Sequence, residues 1–435
     1  MFKKVLPLSA ILSLRFLGLF LVLPLLSVYA LTLDGATPLI VGVIVGGYAL
    51  TQAIFQIPFG SLSDRIGRKP TLLFGLIIFI IGSLICAIST DIYMLMFGRF
   101  LQGAGAIGSV ITAMISDLVE EKIRAKAMAI MGGTIALSFA LAMGFGPFLG
   151  SEYGVNTLFY IAAGLGVFSI ILLFTKVPTP PRITHKYNNK TTTKEILSDK
   201  NLLFLCFTGA LQKGLMSATF VAIPMILLHT YEMPTSQMWT VYLPAMVLGL
   251  IAMGPAAVIG EKKNNPKLIF TLSIIFFITA FVLFAISTTT TIFTIAVVSF
   301  FIGFNMMEPL LQSMISKFAK VHQKGKALGI ANTFAYVGTF IGATLAGVLL
   351  GDGNKETLGI TFGVISVIWL LWTLKMSNPT RHSHVYAPIA DVDQAKLDAL
   401  ESEFIKEWYI NENEQLVIIK YESENISEEE VLAKI

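Results

Sequence analysis

Twelve long apolar runs restrict the fold of this chain more than any other feature. Each has about 18 or more mainly apolar residues, the length that a helix needs to cross a hydrocarbon core of roughly 30 Å. The backbone must satisfy its own hydrogen bonds in lipid, so the runs predict helices and an all-α membrane protein. They lie near residues 6–31, 38–60, 71–89, 92–117, 127–150, 157–176, 201–229, 236–258, 267–287, 291–316, 326–350 and 357–376.

Lysine and arginine are distributed unequally between the loops, which predicts the orientation. The alternate loops on one side carry only Lys355, whereas the other set carries nearly all the remaining basic residues of the membrane region. By the positive-inside rule this basic set and both termini are cytoplasmic, in the inner (plasma) membrane. The net charge of +4 therefore reflects topology and not nucleic-acid binding.

The runs fall into two halves that resemble each other. A hydrophilic stretch rich in Pro, Thr and Lys separates six runs from six, and it ends in one short amphipathic helix. Residues 114–134 align without a gap on residues 314–334, with Met-Ile-Ser and Lys-Ala in register. Duplicated six-helix halves are typical of transporters, whose substrate site lies between them. We therefore predict pseudo-symmetric six-helix bundles at 1–176 and 201–376, with a cytoplasmic linker at 177–200.

Residues 381–435 are acidic and predict a small soluble α+β domain. Strands are expected in HVYAPI, EWYIN and QLVIIKY, and helices in QAKLDALESEF and SEEEVLAKI, the latter capped by Ser427. The order is that of a ferredoxin-like fold without its last strand. The segment has no cysteine, which argues against metal transfer. Two interpretations remain open. The domain either docks on the lysine-rich linker or on another protomer in a regulatory or stabilising role, or it is an inert folded appendage.

A compact charge cluster lies between the second and third runs. Its pattern, G-x-x-x-D-R-x-G-R-K, resembles the signature loop of the major facilitator superfamily. The stretches RFLGLFLVLPLL and GFNMMEPLL and the acidic tail are similar to the drug:proton antiporter branch that carries a C-terminal ferredoxin-like (YAM) domain. The resemblance implies two rocking six-helix bundles, a small-molecule substrate, protons as the coupling ion and no cofactor.

The cluster has the chemistry of a conformational latch. Its glycines permit a tight reversal, and Arg68 can form a bidentate pair with a carboxylate. The resemblance implies that the partners are Asp117 and the start of the eleventh helix near Gly325 and Lys326, joined when the cytoplasmic side closes. A simple topology determinant is the alternative. The predicted latch residues are Gly60, Asp64, Arg65, Gly67, Arg68, Lys69, Asp117 and Arg124.

Ionisable side chains within the runs are costly and therefore predict functional sites. Glu308 is the only carboxylate deep in a run, and a carboxyl group removed from water favours its neutral form, which suits a proton carrier. A permanently paired structural acid is the alternative. Arg99, with Gln102 and Gly103, resembles the family motif R-x-x-Q-G. It either tunes a nearby acid or binds an anionic group, and extension of its side chain to a membrane face is the alternative. Arg15 is expected to face the central cavity and completes the proton-coupling set.

Polar residues near these charges are predicted to line the substrate cavity. Lys213 lies midway along the seventh run, where it could pair with Glu308. Gln52 and Gln56 lie one helical turn apart and could instead bond neighbouring helices. The predicted cavity residues are Gln52, Gln56, Gln102, Lys213 and Asn305.

The fifth run resembles the antiporter motif of the family at Gly146, Pro147 and Gly150, although Ser151 replaces a usual glycine. Packing through small residues explains this motif equally well. The buried positions expected for Cys86 and Cys206 predict neither a disulfide nor a metal site.

The sequence therefore predicts a proton-coupled exporter of a small amphipathic molecule. An uptake symporter or uniporter on the same fold is one alternative, and a non-transporting sensor that signals through its tail is another. We find no nucleophile–base set, metal-ligand cluster or phosphate loop in the sequence, so an enzyme is not expected. GAGAIG lies inside a span without a preceding strand and is not a dinucleotide motif.

Overall fold

The computed structural model describes residues 2–178, 193–319, 324–351, 355–376, 382–393, 396–397, 404–411, 414–422 and 425–435. In this part of the chain, 12 helical spans are long and apolar enough to cross a membrane. The predicted fold class is thereby confirmed. The membrane-domain helices are α1 Phe2–Leu21, α2 Leu23–Leu31, α3 Pro38–Ile66, α4 Arg68–Ala87, α5 Ile92–Ala104, α6 Gly108–Leu118, α7 Glu121–Tyr153, α8 Val155–Thr175, α9 Thr193–Ser198, α10 Lys200–His229, α11 Trp239–Ala257, α12 Pro266–Ile286, α13 Thr290–Phe318, α14 Lys324–Gly351 and α15 Lys355–Thr373.

Two spans are each divided into two helices, and short elements flank others. The first span is α1 with α2, and the fourth is α5 with α6. The eighth span joins the 3₁₀ turn Thr235–Gln237, α11 and the π-helix Val258–Lys262. The short α9 is the helix predicted at the end of the linker.

Local sequence determines where several helices begin. The side chain of Thr37 accepts a hydrogen bond from the backbone of Ile40, and Pro38 follows at the first helical position of α3. Asp91 and Asp199 cap α5 and α10 in the same way. Such caps satisfy backbone N–H groups that have no partner inside the helix. Gly67 has φ 101°, which allows the sharp reversal between α3 and α4.

The two halves contact each other through glycines of α3 and α14. A Cβ atom added at Gly46 would lie 2.8 Å from Cα of Phe340 and 3.1 Å from Cβ of Ala343. Gly42 and Gly347 have similarly close backbone neighbours across this boundary. These positions lie towards the end of the membrane domain opposite the basic loops. We call this end the far end and the end that carries the basic loops the basic end. Small residues here let two helix backbones approach closely.

The end that carries the basic loops is more open around its glycines. A Cβ atom added at Gly133 of α7, Gly254 of α11 or Gly329 of α14 would meet nothing within 4 Å. The described contacts between the halves, which include a hydrogen bond from Ser27 Oγ to the carbonyl oxygen of Val221, lie between mid-span and the opposite end. The described contacts between the halves are thus concentrated from mid-span to the far end, and we infer from them a conformation open at the basic end.

Aromatic rings add to this packing near the middle of the membrane domain. The ring of Phe139 on α7 lies 5.1 Å from Phe20, 6.0 Å from Phe220 and 6.1 Å from Phe304, measured between centroids. Phe20 belongs to the N-terminal half, whereas Phe220 and Phe304 belong to the C-terminal half. We call these four residues the aromatic layer; it joins the halves.

The C-terminal segment forms a three-stranded antiparallel sheet in the order β1-β3-β2. Its strands are β1 His382–Pro388, β2 Ile405–Asn411 and β3 Leu416–Glu422, and α16 Glu428–Leu432 follows. All three predicted strands are confirmed, as is the N-cap, since Ser427 forms a capping box with Glu430. The predicted helix over 394–404 lies largely outside the described residues. The sheet order is consistent with a ferredoxin-like domain without its last strand.

We predict that Gly46→Leu opens the far end of the membrane domain. The longer side chain would overlap the α14 backbone only while α3 and α14 are packed as seen here. Spin labels at Tyr153 and Glu356, both exposed at the far end, report the separation of the halves. Both native cysteines are buried, so labelling can be restricted to these sites. We expect the mutant to gain a longer distance component in double electron–electron resonance.

Gly133→Leu is the matched control, because it adds the same side chain where the structure has open space. Unchanged distances in a folded Gly46→Leu protein would show that the glycine contacts do not hold this end closed.

Candidate functional site

Arg68 is the centre of the charge cluster at the basic end. Its Nε donates to Oδ2 of Asp117 at 2.9 Å, and its Nη1 donates to Ser63 Oγ at 2.6 Å and Asp64 Oδ1 at 2.5 Å. The side chains of Arg68 and Asp117 are only 14% and 6% exposed. The pair therefore ties the first turn of α4 to the end of α6 and confirms the predicted partner of Arg68. Both residues belong to the N-terminal half, so in this conformation the pair does not join the two halves, contrary to the expectation that it forms when the cytoplasmic side closes.

The other predicted latch residues are less constrained. Asp64 is 66% exposed and bonds Arg68, not the start of α14. Arg65 is exposed, and Lys69 is half-buried. A Cβ atom at Gly60 would meet only Ser109, at 3.7 Å or more. The side chain of Arg124 lies outside the described part of the chain, as does that of Lys324, beside Gly325 at the start of α14.

Arg15 is buried inside the N-terminal half. Its Nη2 donates to Gln52 Oε1 at 3.4 Å and to the carbonyl oxygen of Gln102 at 3.3 Å. The guanidinium also lies 5.5 Å from the ring centroid of Phe79. The side chain is fully buried, so the expectation that Arg15 faces the central cavity is wrong for this conformation. Neutral oxygens and an aromatic face offset part of the charge inside the bundle, whereas Nε and Nη1 of Arg15 are buried and find no hydrogen-bond partner among the described residues.

Arg99 occupies the same polar network and is also fully buried. Its Nη1 donates to Gln102 Oε1 at 2.8 Å, and its guanidinium lies 4.9 Å from the ring centroid of Tyr48. Gln102 Nε2 in turn donates to Ser83 Oγ at 2.9 Å. The guanidinium therefore does not extend to a membrane face, which rules out the snorkelling interpretation.

The polar network reaches the other half through Gln52. Its Nε2 donates to the hydroxyl of Tyr336 on α14 at 2.7 Å. Gln52 and Gln102, predicted to line the cavity, are fully buried in this network, and Gln56 is 6% exposed. Sequence reasoning missed Tyr336. Its phenol in the middle of an apolar span was the available indication, since a buried tyrosine hydroxyl usually requires a partner.

Lys213 and Glu308 form an ion pair in the C-terminal half. Nζ of Lys213 lies 2.8 Å from each carboxylate oxygen of Glu308, which confirms the suggested pairing of these residues. Their side chains are 26% and 37% exposed. Nζ also lies 4.8 Å from the ring centroid of Phe304, a member of the aromatic layer. The pair is thus more accessible than either buried arginine, and it is one helical turn from the layer.

The remaining predicted cavity residue, Asn305, is 5% exposed and packed between helices. Its Nδ2 donates to the carbonyl oxygen of Phe301, and the same amide abuts Gly249 of α11. In this conformation Asn305 therefore contributes to packing between α13 and α11.

The predicted helix-packing motif lies between α7 and the first span. A Cβ atom at Gly146 would overlap the carbonyl oxygen of Leu21, and one at Gly150 would lie 2.7 Å from Leu25. Pro147 lies between these glycines inside α7. The two glycines allow α7 to approach the first span closely beside the break at Val22.

The sequence matches a known family along most of its length. Residues 8–323 and 267–410 match the Major Facilitator Superfamily. The chain is 36% identical over 426 residues to the inner membrane transport protein YajR of Escherichia coli (strain K12), covering 96% of this chain and 93% of YajR. It is 29% identical to the quinolone resistance protein NorA of Staphylococcus aureus (strain MRSA252), covering 80% and 90% of the two chains.

Solved structures with low sequence identity share the fold. The human organic anion transporter MFSD10 (TETRAN) superposes with a TM-score of 0.66 at 15% identity, covering 85% of this chain and 99% of that chain. A bacterial homologue of the human lysosomal transporter Spinster gives a TM-score of 0.68 at 14% identity, covering 86% and 96%. The resemblance found in the sequence motifs is confirmed.

We predict that Arg68→Lys destabilises the protein by about 1.5–3 kcal/mol, the usual contribution of hydrogen bonds to charged groups. A lysine ammonium is a point charge and does not reproduce the planar contacts of Arg68 with Asp117, Asp64 and Ser63. The apparent unfolding temperature in detergent should fall by several degrees. Arg65→Lys, at an exposed neighbouring site, should leave it unchanged; equal effects of the two substitutions would contradict this account.

Proposed function

Because the chain belongs to the Major Facilitator Superfamily and is a multi-pass membrane transporter, not an enzyme, we propose that it exports small amphipathic molecules in exchange for protons. The observation that carries this proposal is the half-exposed pair of Lys213 and Glu308 near the middle of the membrane domain. The names of YajR and NorA, a transport protein of the inner membrane and a quinolone resistance protein, support it.

Glu308 is the proposed proton carrier. Protonation removes the charge that holds Lys213 at 2.8 Å and leaves an ammonium beside the ring of Phe304. The local charge thus changes by one unit at a pair that is partly exposed. A proton that binds one conformation more strongly than another shifts the population towards the first. In this scheme Arg15 and Arg99 have a positioning role, because their network joins α3 to α14 through Gln52 and Tyr336.

The proposed transport cycle rocks the two halves about the central site. If the basic end is cytoplasmic, as the positive-inside rule indicates, the conformation described here is inward-open. Closure of that end would bring the exposed carboxylate of Asp64 to the N-terminus of α14, where a negative charge is stabilised. Arg68 already holds Asp64 in position and would thereby act as the fixed part of the latch.

The proposed substrate class follows from the surroundings of the ion pair. The aromatic layer lies beside the pair, towards the far end. Its member Phe304 contacts both Phe139 and Lys213. An apolar body against the rings and a polar group at the pair would satisfy both kinds of surface. This arrangement is typical of sites that bind amphipathic molecules.

We expect Glu308→Gln to abolish substrate-evoked proton movement. The amide keeps the size of the side chain but does not carry a proton between states. Purified protein in liposomes with an internal pH dye, treated with a panel of quinolones, lipophilic cations and small metabolites, measures this directly. The mutant signal should fall to that of protein-free liposomes.

Glu261→Gln is the matched control. Glu261 is 36% exposed and pairs with Lys317 at 2.7 Å, so it resembles Glu308 in exposure and partner but lies at the basic end. Proton movement that persists in Glu308→Gln would exclude Glu308 as the carrier. Substrate entering with protons would instead support an uptake symporter, and an absence of solute movement with every compound would favour the sensor hypothesis.

A further inference from the structure

The central strand of the C-terminal sheet is buried on both faces. Val417, Ile419 and Tyr421 point to one side and pack in the core of the C-terminal domain. Alternate residues point to the other side, and there Ile418 is 1% exposed and Lys420 is 6% exposed. A three-stranded sheet covered by its own helices on one face should leave the second face in water. Something outside the domain therefore covers this face.

Lys420 identifies the covering surface. Its Nζ donates to the carbonyl oxygen of Lys317 at 3.0 Å and to that of Ala319 at 3.3 Å. These two residues are at the end of α13, which finishes at Phe318 with Ala319 as its C-cap. Tyr386 of β1 and Tyr409 of β2 pair with Ile418 and therefore lie on the same second face. This face thus lies against the membrane domain.

The chemistry of a helix end suits a lysine. The last four carbonyl groups of a helix have no partner inside it, and the helix dipole gives this end a partial negative charge. A buried ammonium is costly unless hydrogen bonds compensate it. Lys420 and the end of α13 therefore satisfy each other's polar groups in a water-poor contact.

The segment held by Lys420 is connected to the site of Glu308. Pro309 follows Glu308 directly inside α13 and removes one backbone donor, so the helix can bend there. From Pro309 to Phe318 the helix runs to the basic end, where Lys317 also pairs with Glu261 of the π-helix after α11. Restraining this terminal segment restrains the part of α13 that would otherwise move relative to Glu308.

We propose that the C-terminal domain docks on the end of α13 through the second face of its sheet, and that Lys420 fixes the α13 segment following Pro309. The domain is then an intramolecular clamp on the helix that carries Glu308. The predicted docking on the linker falls mainly on residues 179–192, outside the described part of the chain, and stays a separate prediction. The clamp does not depend on which solute moves or on proton coupling.

Hydrogen–deuterium exchange of the full-length protein tests the clamp. The amide of Ala319 donates to the carbonyl oxygen of Ile315, so its exchange reports opening of the last turn of α13. Lys420→Met keeps most of the length of the side chain and removes the ammonium. We expect peptides covering residues 315–319 to exchange about tenfold faster in this mutant, the usual scale for losing a hydrogen bond to a charged group. Lys434→Met, at an exposed lysine of the same domain, should have no effect.

Lys420→Met could unfold the C-terminal domain, and unfolding would appear as lost protection of the amides in β3. A second variant keeps the test valid in that event. A chain ending at residue 380 lacks the sheet altogether and should show the same faster exchange at the end of α13. Unchanged exchange at residues 315–319 in both variants would overturn the proposal. Protection that disappears on dilution of the wild type would place the contact between two copies of the chain and would also overturn it.

Discussion

Hydrocarbon offers no hydrogen bonds to a polypeptide, and most of this structure follows from that constraint. It makes each long apolar segment a helix, and it moves the polar caps, such as Thr37, Asp91 and Asp199, to the helix ends. It also removes the hydrophobic driving force for helix association, so close packing must replace it. The glycines that align α3 with α14 provide such packing between the halves.

The ionisable groups inside the membrane domain meet this constraint in two ways. Arg15 and Arg99 are fully buried, and glutamine side chains, backbone oxygens and aromatic faces offset part of their charge. Lys213 and Glu308 compensate each other while keeping part of their surface exposed. The first arrangement favours a fixed scaffold, whereas the second allows exchange with water. This difference, and not the presence of charge alone, distinguishes a structural group from a candidate proton carrier.

Periodicity and charge predicted the helices, because span length and loop composition are local properties. The same holds for the strands of the C-terminal sheet and for the cap at Ser427. The surroundings of Arg15 were not predictable, since its orientation depends on Gln52, Gln102 and Phe79, which come from three other helices. Tyr336 and Lys420 were missed for the same reason: each acts across an interface that exists only once distant segments have packed.

The hydrogen bond between Gln52 and Tyr336 has a mechanical consequence. Gln52 is the central residue of the 29-residue α3, and Tyr336 lies near the middle of the 28-residue α14. When two rigid bodies tilt about an axis, displacement grows with distance from the axis, so a contact at mid-height changes least. The glycine contacts near one end can separate through several ångströms while this bond is kept. The pair therefore has the position of a fulcrum for the rocking motion proposed above.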